Sequence, residues 1–183
     1  ISMGWNSWNT FGSHINEKLI MEITDRLVSE GYQEAGYEYV IIDDCWSLRE
    51  RVDEKLVADP ELFPNGMKAL ADYVHSKGLK FGMYSCAGFK TCAGYPSSYG
   101  HEFEDAKQFA EWGVDYLKYD FCNFPESGNA KNAYLTMAVA LRNSGRKIFL
   151  AACNWGVQDP AKWMRSRGAG SYRSTGDIFD VPK

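Results

Sequence analysis

Apolar residues along this chain follow two patterns, one with helical spacing and one of short continuous runs. Residues 16–29 place Leu19, Ile23 and Leu27 on one helical face, and the apolar run 39–42 follows two glycines. The first pattern predicts an amphipathic helix, and the second predicts a buried strand. Because the combination recurs five times, the sequence predicts a repeated helix-then-strand unit.

With the opening segment included, six strands alternate with five helices, the βα arrangement that is typical of a parallel sheet. The predicted strands span 3–8, 39–43, 79–84, 114–119, 148–152 and 172–174. The predicted helices span 16–29, 64–77, 102–112 and 134–143, and a shorter one begins with Asp159 as N-cap and Pro160 as its first residue and ends at Gly168.

Two architectures fit such a repeat, a doubly wound sheet and a (β/α)8 TIM barrel. Residues 4–7 do not form the glycine-rich phosphate turn expected after the first strand of a doubly wound sheet. In a barrel, functional side chains collect at the carboxyl ends of several strands. That is where the polar residues of this chain fall: Asp43, Asp44, Tyr84, Ser85, Lys118, Asp120, Asn154, Trp155, Arg173 and Asp177. We therefore predict a barrel.

A complete barrel takes about 250 residues, so residues 1–183 are expected to form one C-terminally incomplete domain with about six of eight βα units. The first and last strands would then have open edges. Either the chain is a fragment, or another copy covers these edges, which makes a homo-oligomer one possible assembly.

Composition narrows the functional classes. With 45% hydrophobic and 24% charged residues, the chain is of ordinary globular type and has no apolar run long enough for a membrane helix. A net charge of -4 without a basic cluster argues against nucleic acid. Five cysteines without a C-x-x-C pair and three scattered histidines give no metal-ligand spacing, so we expect neither metal nor cofactor.

Asp120 and Asp177 suggest a chemistry. Buried carboxylates are costly unless they are paired or used, and two carboxylates facing each other across a rim can hydrolyse a glycoside. Lys118 lies on the same side of its strand as Asp120 and is expected to keep it charged, whereas Asp177 needs a less polar setting to act as an acid. Each residue also has a structural alternative, as a loop cap or a simple ion pair.

Asp43 and Asp44 form a second group. Paired acceptors suit the neighbouring hydroxyls of a sugar, and Trp5, Trp8 and Trp46 offer apolar faces for its C–H surface. Core packing is the alternative for the tryptophans. A divalent metal at the aspartates is disfavoured because no third carboxylate stands at suitable spacing.

Seven segments in order carry a family resemblance. They are 3–8 (MGWNSW), 42–46 (IDDCW), 58–66 (ADPELFPNG), 91–96 (TCAGYP), 116–120 (YLKYD), 153–156 (CNWG) and 173–178 (RSTGDI). On these segments the chain resembles glycoside hydrolase family 27, the melibiase-type α-galactosidases and α-N-acetylgalactosaminidases, and it is most similar to the α-galactosidases.

This resemblance implies a (β/α)8 catalytic barrel that hydrolyses terminal α-D-galactosyl residues of oligosaccharides or glycoconjugates with retention. It implies Asp120 as nucleophile and Asp177 as acid/base. The implied substrate-binding residues are Trp5, Asp43, Asp44, Tyr84, Lys118, Asn154, Trp155 and Arg173.

Departures from the family pattern leave alternatives open. Asn154 and Val157 favour galactose over N-acetylgalactosamine, whereas Tyr172 and the pair 170–171 differ from the usual residues and leave the shape of that loop undefined. An α-N-acetylgalactosaminidase, a β-L-arabinopyranosidase, a non-catalytic sugar-binding homologue and an inactive fragment remain as alternatives.

The resemblance also implies a disulfide between Cys92 and Cys122, which follow neighbouring strands. Cys45 lacks its usual partner because Ser13 stands in that place, and the remaining cysteines are expected as free thiols. No signal peptide is visible before the first strand. A disulfide favours a secreted, vacuolar or lysosomal enzyme.

Overall fold

The computed structural model of the chain describes residues 3–178. Its strands are β1 Gly4–Asn6, β2 Tyr39–Ile41, β3 Lys80–Cys86, β4 Tyr116–Asp120, β5 Phe149–Cys153 and β6 Ser171–Tyr172. Its α-helices are α1 Trp8–Phe11, α2 Glu17–Ser29, α3 Gly66–Ser76, α4 Glu102–Trp112 and α5 Ala130–Asn143, and 3-10 turns span Pro160–Lys162 and Arg165–Arg167.

The six strands form one parallel sheet in the order β1-β2-β3-β4-β5-β6. Every crossover therefore moves in the same direction. Because such crossovers are right-handed, the helices collect on one face, whereas a doubly wound sheet reverses its order and is covered on both faces. The prediction of a partial (β/α)8 barrel is confirmed.

Side-chain alternation along the strands separates a helix-facing core from the barrel interior. Leu117 and Tyr119 of β4 are fully buried in the core, and the Tyr119 ring lies 5.5 Å from that of Tyr134 on α5. Lys118 and Asp120, which alternate with these two residues, point to the opposite face. The period of two thus places both charged groups of β4 in the barrel interior.

Three aromatic rings form a layer in the barrel interior towards the amino ends of the strands. The ring of Tyr116 lies 5.3 Å from that of Tyr39 and 5.4 Å from that of Phe149. Gly82 leaves room beside this layer, since a Cβ there would lie 2.6 Å from Cγ1 of Ile41. The polar residues near the carboxyl ends of the strands therefore lie above this layer of aromatic rings.

The last two elements differ from the prediction. In place of a helix after Asp159 there are two 3-10 turns, and Asp159 has a left-handed backbone (φ 52) with no side-chain cap bond. Its carboxylate instead pairs with Lys162 at 3.2 Å. Strand β6 covers only Ser171–Tyr172. At the other end of the chain, α1 was not predicted, because its four residues are too few to show a helical period.

Asp115 joins three elements at the amino end of β4. It accepts hydrogen bonds from the backbone N of Phe81 at 2.9 Å and from Nη2 of Arg146 at 2.6 Å, and its Oδ2 lies 2.6 Å from Nε2 of His75. Burial opposes the charged form, but these partners outweigh it and hold the pKa of Asp115 below its usual value. The charge therefore helps to align β3, β4 and β5.

We expect Asp115→Asn to lower the free energy of unfolding at pH 7 by about 1–3 kcal/mol, because hydrogen bonds to a half-buried charge are weakened or lost. Because the folded-state pKa is lowered, this stabilisation is present above the unfolded value of about 4 and is lost as the pH falls through the folded value. Urea unfolding at pH 7 and at stepwise lower pH tests this. The variant should lose less stability than wild type on acidification, and parallel pH curves would contradict the prediction.

Candidate active site

A cleft of about 980 Å³ opens at the carboxyl ends of the strands. Its lining comes from all parts of the sheet, as expected for a barrel site. Eight of the residues predicted from the sequence line it: Asp43, Asp44, Tyr84, Lys118, Asp120, Trp155, Arg173 and Asp177. The structure therefore brings together side chains that lie up to 134 positions apart in the chain (177 − 43).

Asp120 is held by three donors at the end of β4. Oδ1 accepts from the backbone N of Phe121 at 2.8 Å and from Nε1 of Trp155 at 3.0 Å, and Oδ2 accepts from the hydroxyl of Tyr84 at 3.0 Å. Burial raises the pKa of Tyr84, so its phenol stays protonated and donates. A carboxylate that accepts at both oxygens satisfies all three donors and has a fixed orientation.

Lys118 binds Asp43, which corrects the predicted pairing with Asp120. Its Nζ lies 2.7 Å from Oδ2 of Asp43, and it crosses the Tyr84 ring at 5.3 Å from the centroid. Burial lowers the pKa of Lys118, but the attraction of Asp43 outweighs this, and the net shift is upward. A long side chain can reach across β3 to β2, and this reach decides the partner.

Asp43 and Asp44 both reach the cleft, as predicted. Besides Lys118, Asp43 accepts from Nδ2 of Asn6 at 2.8 Å. Asp44 accepts from the backbone N of Cys45 at 2.8 Å and of Ala93 at 2.9 Å, while burial raises its pKa. The two carboxylates are thus anchored by protein donors and still line the cavity.

Asp177 does not have the less polar setting that was expected for an acid. Its side chain is 67% exposed, and Oδ1 pairs with Nη1 of Arg173 at 2.6 Å. The bond to Asp177 raises the pKa of Arg173. Both residues follow β6 at the edge of the described sheet, where the cleft is open.

Trp5 and Asn154 do not line the cleft, contrary to the prediction. Trp5 alternates with the interior residues Gly4 and Asn6, so it faces the helices and packs against Phe11, with ring centroids 6.1 Å apart. Asn154 follows the interior residue Cys153 and is fully buried outside the cavity. Alternation places both side chains on the far side of the sheet.

Other cleft residues were not assigned from the sequence. They include Asn6, Asn9, Tyr116, Cys153 and Tyr172. Asn6 and Tyr116 point to the barrel interior. Because side chains alternate along a strand, both could have been identified once one interior residue of each strand was known. Trp8, which the sequence offered as an apolar face for a sugar, does line the cleft and lies on α1.

Cys92 and Cys122 form a disulfide, the pairing that the resemblance implied. Both cysteines line the cleft, while Cys45, Cys86 and Cys153 are buried free thiols. The two bonded cysteines and Asp120 make up the metal-compatible cluster found within residues 3–178. Because the sulfurs are bonded to each other, they offer no thiolate ligands.

Removing this disulfide should lower the free energy of unfolding by about 3–4 kcal/mol, because the bond closes a loop with a sequence separation of 30. The variant Cys92→Ser/Cys122→Ser, compared with wild type in urea, measures this. Thiol titration of the denatured, unreduced chain should find three thiols, two fewer than its five cysteines. Five thiols would contradict the bond.

Carboxylates, a lysine and aromatic rings at the carboxyl end of a parallel barrel wall are groups with which a barrel glycosidase can bind and cleave a sugar. The family model described as Alpha galactosidase A (Melibiase_2) matches residues 2–179. The chain therefore belongs to the melibiase family of α-galactosidases.

Curated relatives agree with this membership. The chain is 54% identical over 180 residues to an α-galactosidase of Coffea arabica, covering 97% of this chain and 47% of the relative. It is 51% identical over 177 residues to α-galactosidase A of Cellvibrio japonicus, covering 97% and 43%. The chain thus spans less than half the length of these relatives.

Solved structures are similar over the whole described fold. α-Galactosidase I of Mortierella vinacea matches with a TM-score of 0.94 at 43% identity, covering 100% of this chain and 48% of that one. The Saccharomyces cerevisiae enzyme with raffinose matches at 0.94 and 44%, covering 100% and 42%. No helix within residues 3–178 has the length and apolarity to cross a membrane.

Proposed function

We propose that the protein containing this chain is a retaining α-galactosidase, which hydrolyses terminal α-D-galactosyl residues through a covalent glycosyl-enzyme intermediate. The observation that carries the proposal is Asp120, which is 5% exposed, oriented by three donors and placed on the same cleft as Asp177. Membership of the family supports it.

In the first step, a carboxylate oxygen of Asp120 attacks the anomeric carbon as the bond to the leaving oxygen breaks. Asp177 gives its proton to that oxygen, and the aglycone leaves as an alcohol. In the second step, Asp177 takes a proton from water, whose oxygen attacks the same carbon and releases galactose and Asp120. Two inversions give net retention.

Arg173 links sugar binding to the acid in this scheme. Its guanidinium pairs with Asp177 at 2.6 Å. When sugar hydroxyls engage Arg173, Asp177 is released from this ion pair, takes up a proton from solvent and meets the leaving oxygen. Asp43, Asp44 and Lys118 bind further hydroxyls, since their charged groups line the cleft and form strong hydrogen bonds.

The proposed substrates are of the raffinose type, with a terminal galactose on a longer saccharide, because the structure of the yeast relative is with raffinose. The fully buried Asn154 and the 41% exposed Val157 are both outside the cleft lining. The preference for galactose therefore rests on the relatives rather than on these residues. The disulfide supports a secreted, vacuolar or lysosomal location.

The test is turnover of p-nitrophenyl α-galactoside by the full-length protein, followed by proton NMR of the first sugar released. We expect α-galactose to appear before mutarotation. First release of the β-anomer would exclude retention. Preferential turnover of the α-N-acetylgalactosaminide or β-L-arabinopyranoside would show that the proposed substrate class is wrong. Galactose binding without turnover would favour the non-catalytic homologue.

A further inference from the structure

The loop after β5 has an unusual backbone. Trp155, Gln158 and Asp159 have positive φ values of 55, 61 and 52, and Gly156 has a φ of 83. A non-glycine residue in this region costs about 1–3 kcal/mol and persists only where its surroundings enforce it. Such strain beside Asp120 is therefore expected to have a specific support.

The support is Asn154. Its backbone O accepts from the N of Val157 at 2.9 Å, and its side-chain Nδ2 donates to the O of Val157 at 2.6 Å. Two hydrogen bonds thus close a β-turn whose central residues both have positive φ, as in type I′. The other amide atom, Oδ1, is buried without a partner, so the donor is the half of the side chain that the fold uses.

The turn is also fixed from outside. A Cβ at Gly156 would collide with the backbone O of Ser174, in the segment that leads from β6 to Asp177. Gln158 accepts from the N of Ala130 at 3.1 Å and donates to the O of Gly128 at 3.2 Å, in the segment that follows β4. The turn is therefore held between two neighbouring loops of the cleft.

This geometry directs the Trp155 side chain back over β4. Its Nε1 donates to Oδ1 of Asp120 at 3.0 Å, and its ring meets the edge of Phe121 with centroids 6.0 Å apart. Tyr84 holds the other oxygen of Asp120. A planar carboxylate tethered at both oxygens cannot rotate freely.

We propose that Asn154 is a positioning residue: by closing the 154–157 turn, it holds the Trp155 indole N–H on Asp120 and so fixes the orientation of the nucleophile. This role replaces the sugar contact predicted for Asn154 and rests on the proposed function. Orientation of a reacting group contributes to rate because small displacements are costly. Asn154 acts through Trp155 and does not touch the substrate.

The direct test is indole NMR of the full-length protein labelled with ¹⁵N-tryptophan. Trp155→Phe identifies the Trp155 indole resonance. In Asn154→Ala this resonance should move upfield and exchange faster with solvent. Asn143→Ala should leave it unchanged, because it removes a similar side-chain hydrogen bond at an exposed position of α5. An unchanged resonance in Asn154→Ala would overturn the proposal. Since Gln158 and the close packing of Gly156 also hold the loop, the variant should fold, and Asn154→Ser serves if it does not.

Kinetics supply the second readout. Asn154→Ala should lower kcat by about 10- to 100-fold with little change in KM, because the carboxylate is displaced while the cleft lining is kept. Trp155→Phe should lower kcat at least as much, since it removes the indole N–H itself. The double variant should be no slower than the slower single one, since both act through one contact. The positioning role of Asn154 would be refuted if the kcat losses of the two single variants multiplied in the double variant, or if Asn154→Ala kept wild-type kcat. If the unmodified full-length protein is inactive, the proposed function is refuted. The NMR result still decides whether Asn154 holds the Trp155 indole.

Discussion

Asp120→Asn is expected to reduce kcat for an aryl α-galactoside by on the order of 10⁴-fold or more, because the variant has no carboxylate to form the intermediate. Binding of galactose should persist. The amide oxygen can still accept from Phe121 and Trp155, and the amide nitrogen can donate to the Tyr84 hydroxyl. Steady-state kinetics and galactose titration by calorimetry measure the two effects.

Asp105→Asn is the matched control, since it changes another buried aspartate outside the cleft. Asp105 is 1% exposed and accepts two bonds from Arg51 at 2.8 and 2.6 Å. Its loss should lower the free energy of unfolding by about 3–5 kcal/mol and leave kcat of the folded protein near wild type. Substantial activity in Asp120→Asn would show that another group is the nucleophile.

Lys118→Met is the second substitution with a large expected effect on activity and stability. It leaves the carboxylate of Asp43, which is 2% exposed, without its counter-charge. We expect a loss of about 3 kcal/mol in the free energy of unfolding. The value of kcat/KM should fall by on the order of 10²-fold or more, because one partner of a buried charge pair is removed from the cleft. Urea unfolding and initial rates measure the two losses.

A double variant separates the two effects. Asp43→Asn/Lys118→Met removes both charges, so most of the stability should return while kcat/KM stays low. Lys68→Met provides the control, because Lys68 pairs with Asp72 at 2.8 Å on the exposed surface of α3 and such pairs contribute little. Recovery of kcat/KM in the double variant would show that Asp43 and Lys118 support the fold and do not bind sugar.

The sequence predicted the fold well because its signals are local. Helical spacing and short apolar runs located four of the helices and every strand region, and the polar strand ends predicted a barrel. The prediction failed after Asp159, where Pro160 and a cap-type residue suggested a helix. The structure has 3-10 turns there, and the backbone of Asp159 is left-handed, a conformation that residue type alone does not specify.

The candidate site was predicted in part. Asp43, Asp44, Tyr84, Lys118 and Asp120 are close to the carboxyl ends of their strands, so their meeting on one rim follows from parallel order. Trp5 was misplaced because the sequence shows that side chains alternate without showing which phase faces the interior. Register with the neighbouring strand, such as Trp5 opposite Val40, decides that phase.

The sequence by itself therefore determined the repeated βα units and the collection of charged residues at one end of the sheet. Only the tertiary structure decided that Lys118 pairs with Asp43 rather than with Asp120, and that Asn154 closes a turn behind Trp155. The physical reason is that partner choice depends on side-chain reach across adjacent strands and on loop backbone geometry. Both are set by contacts between residues far apart in the chain.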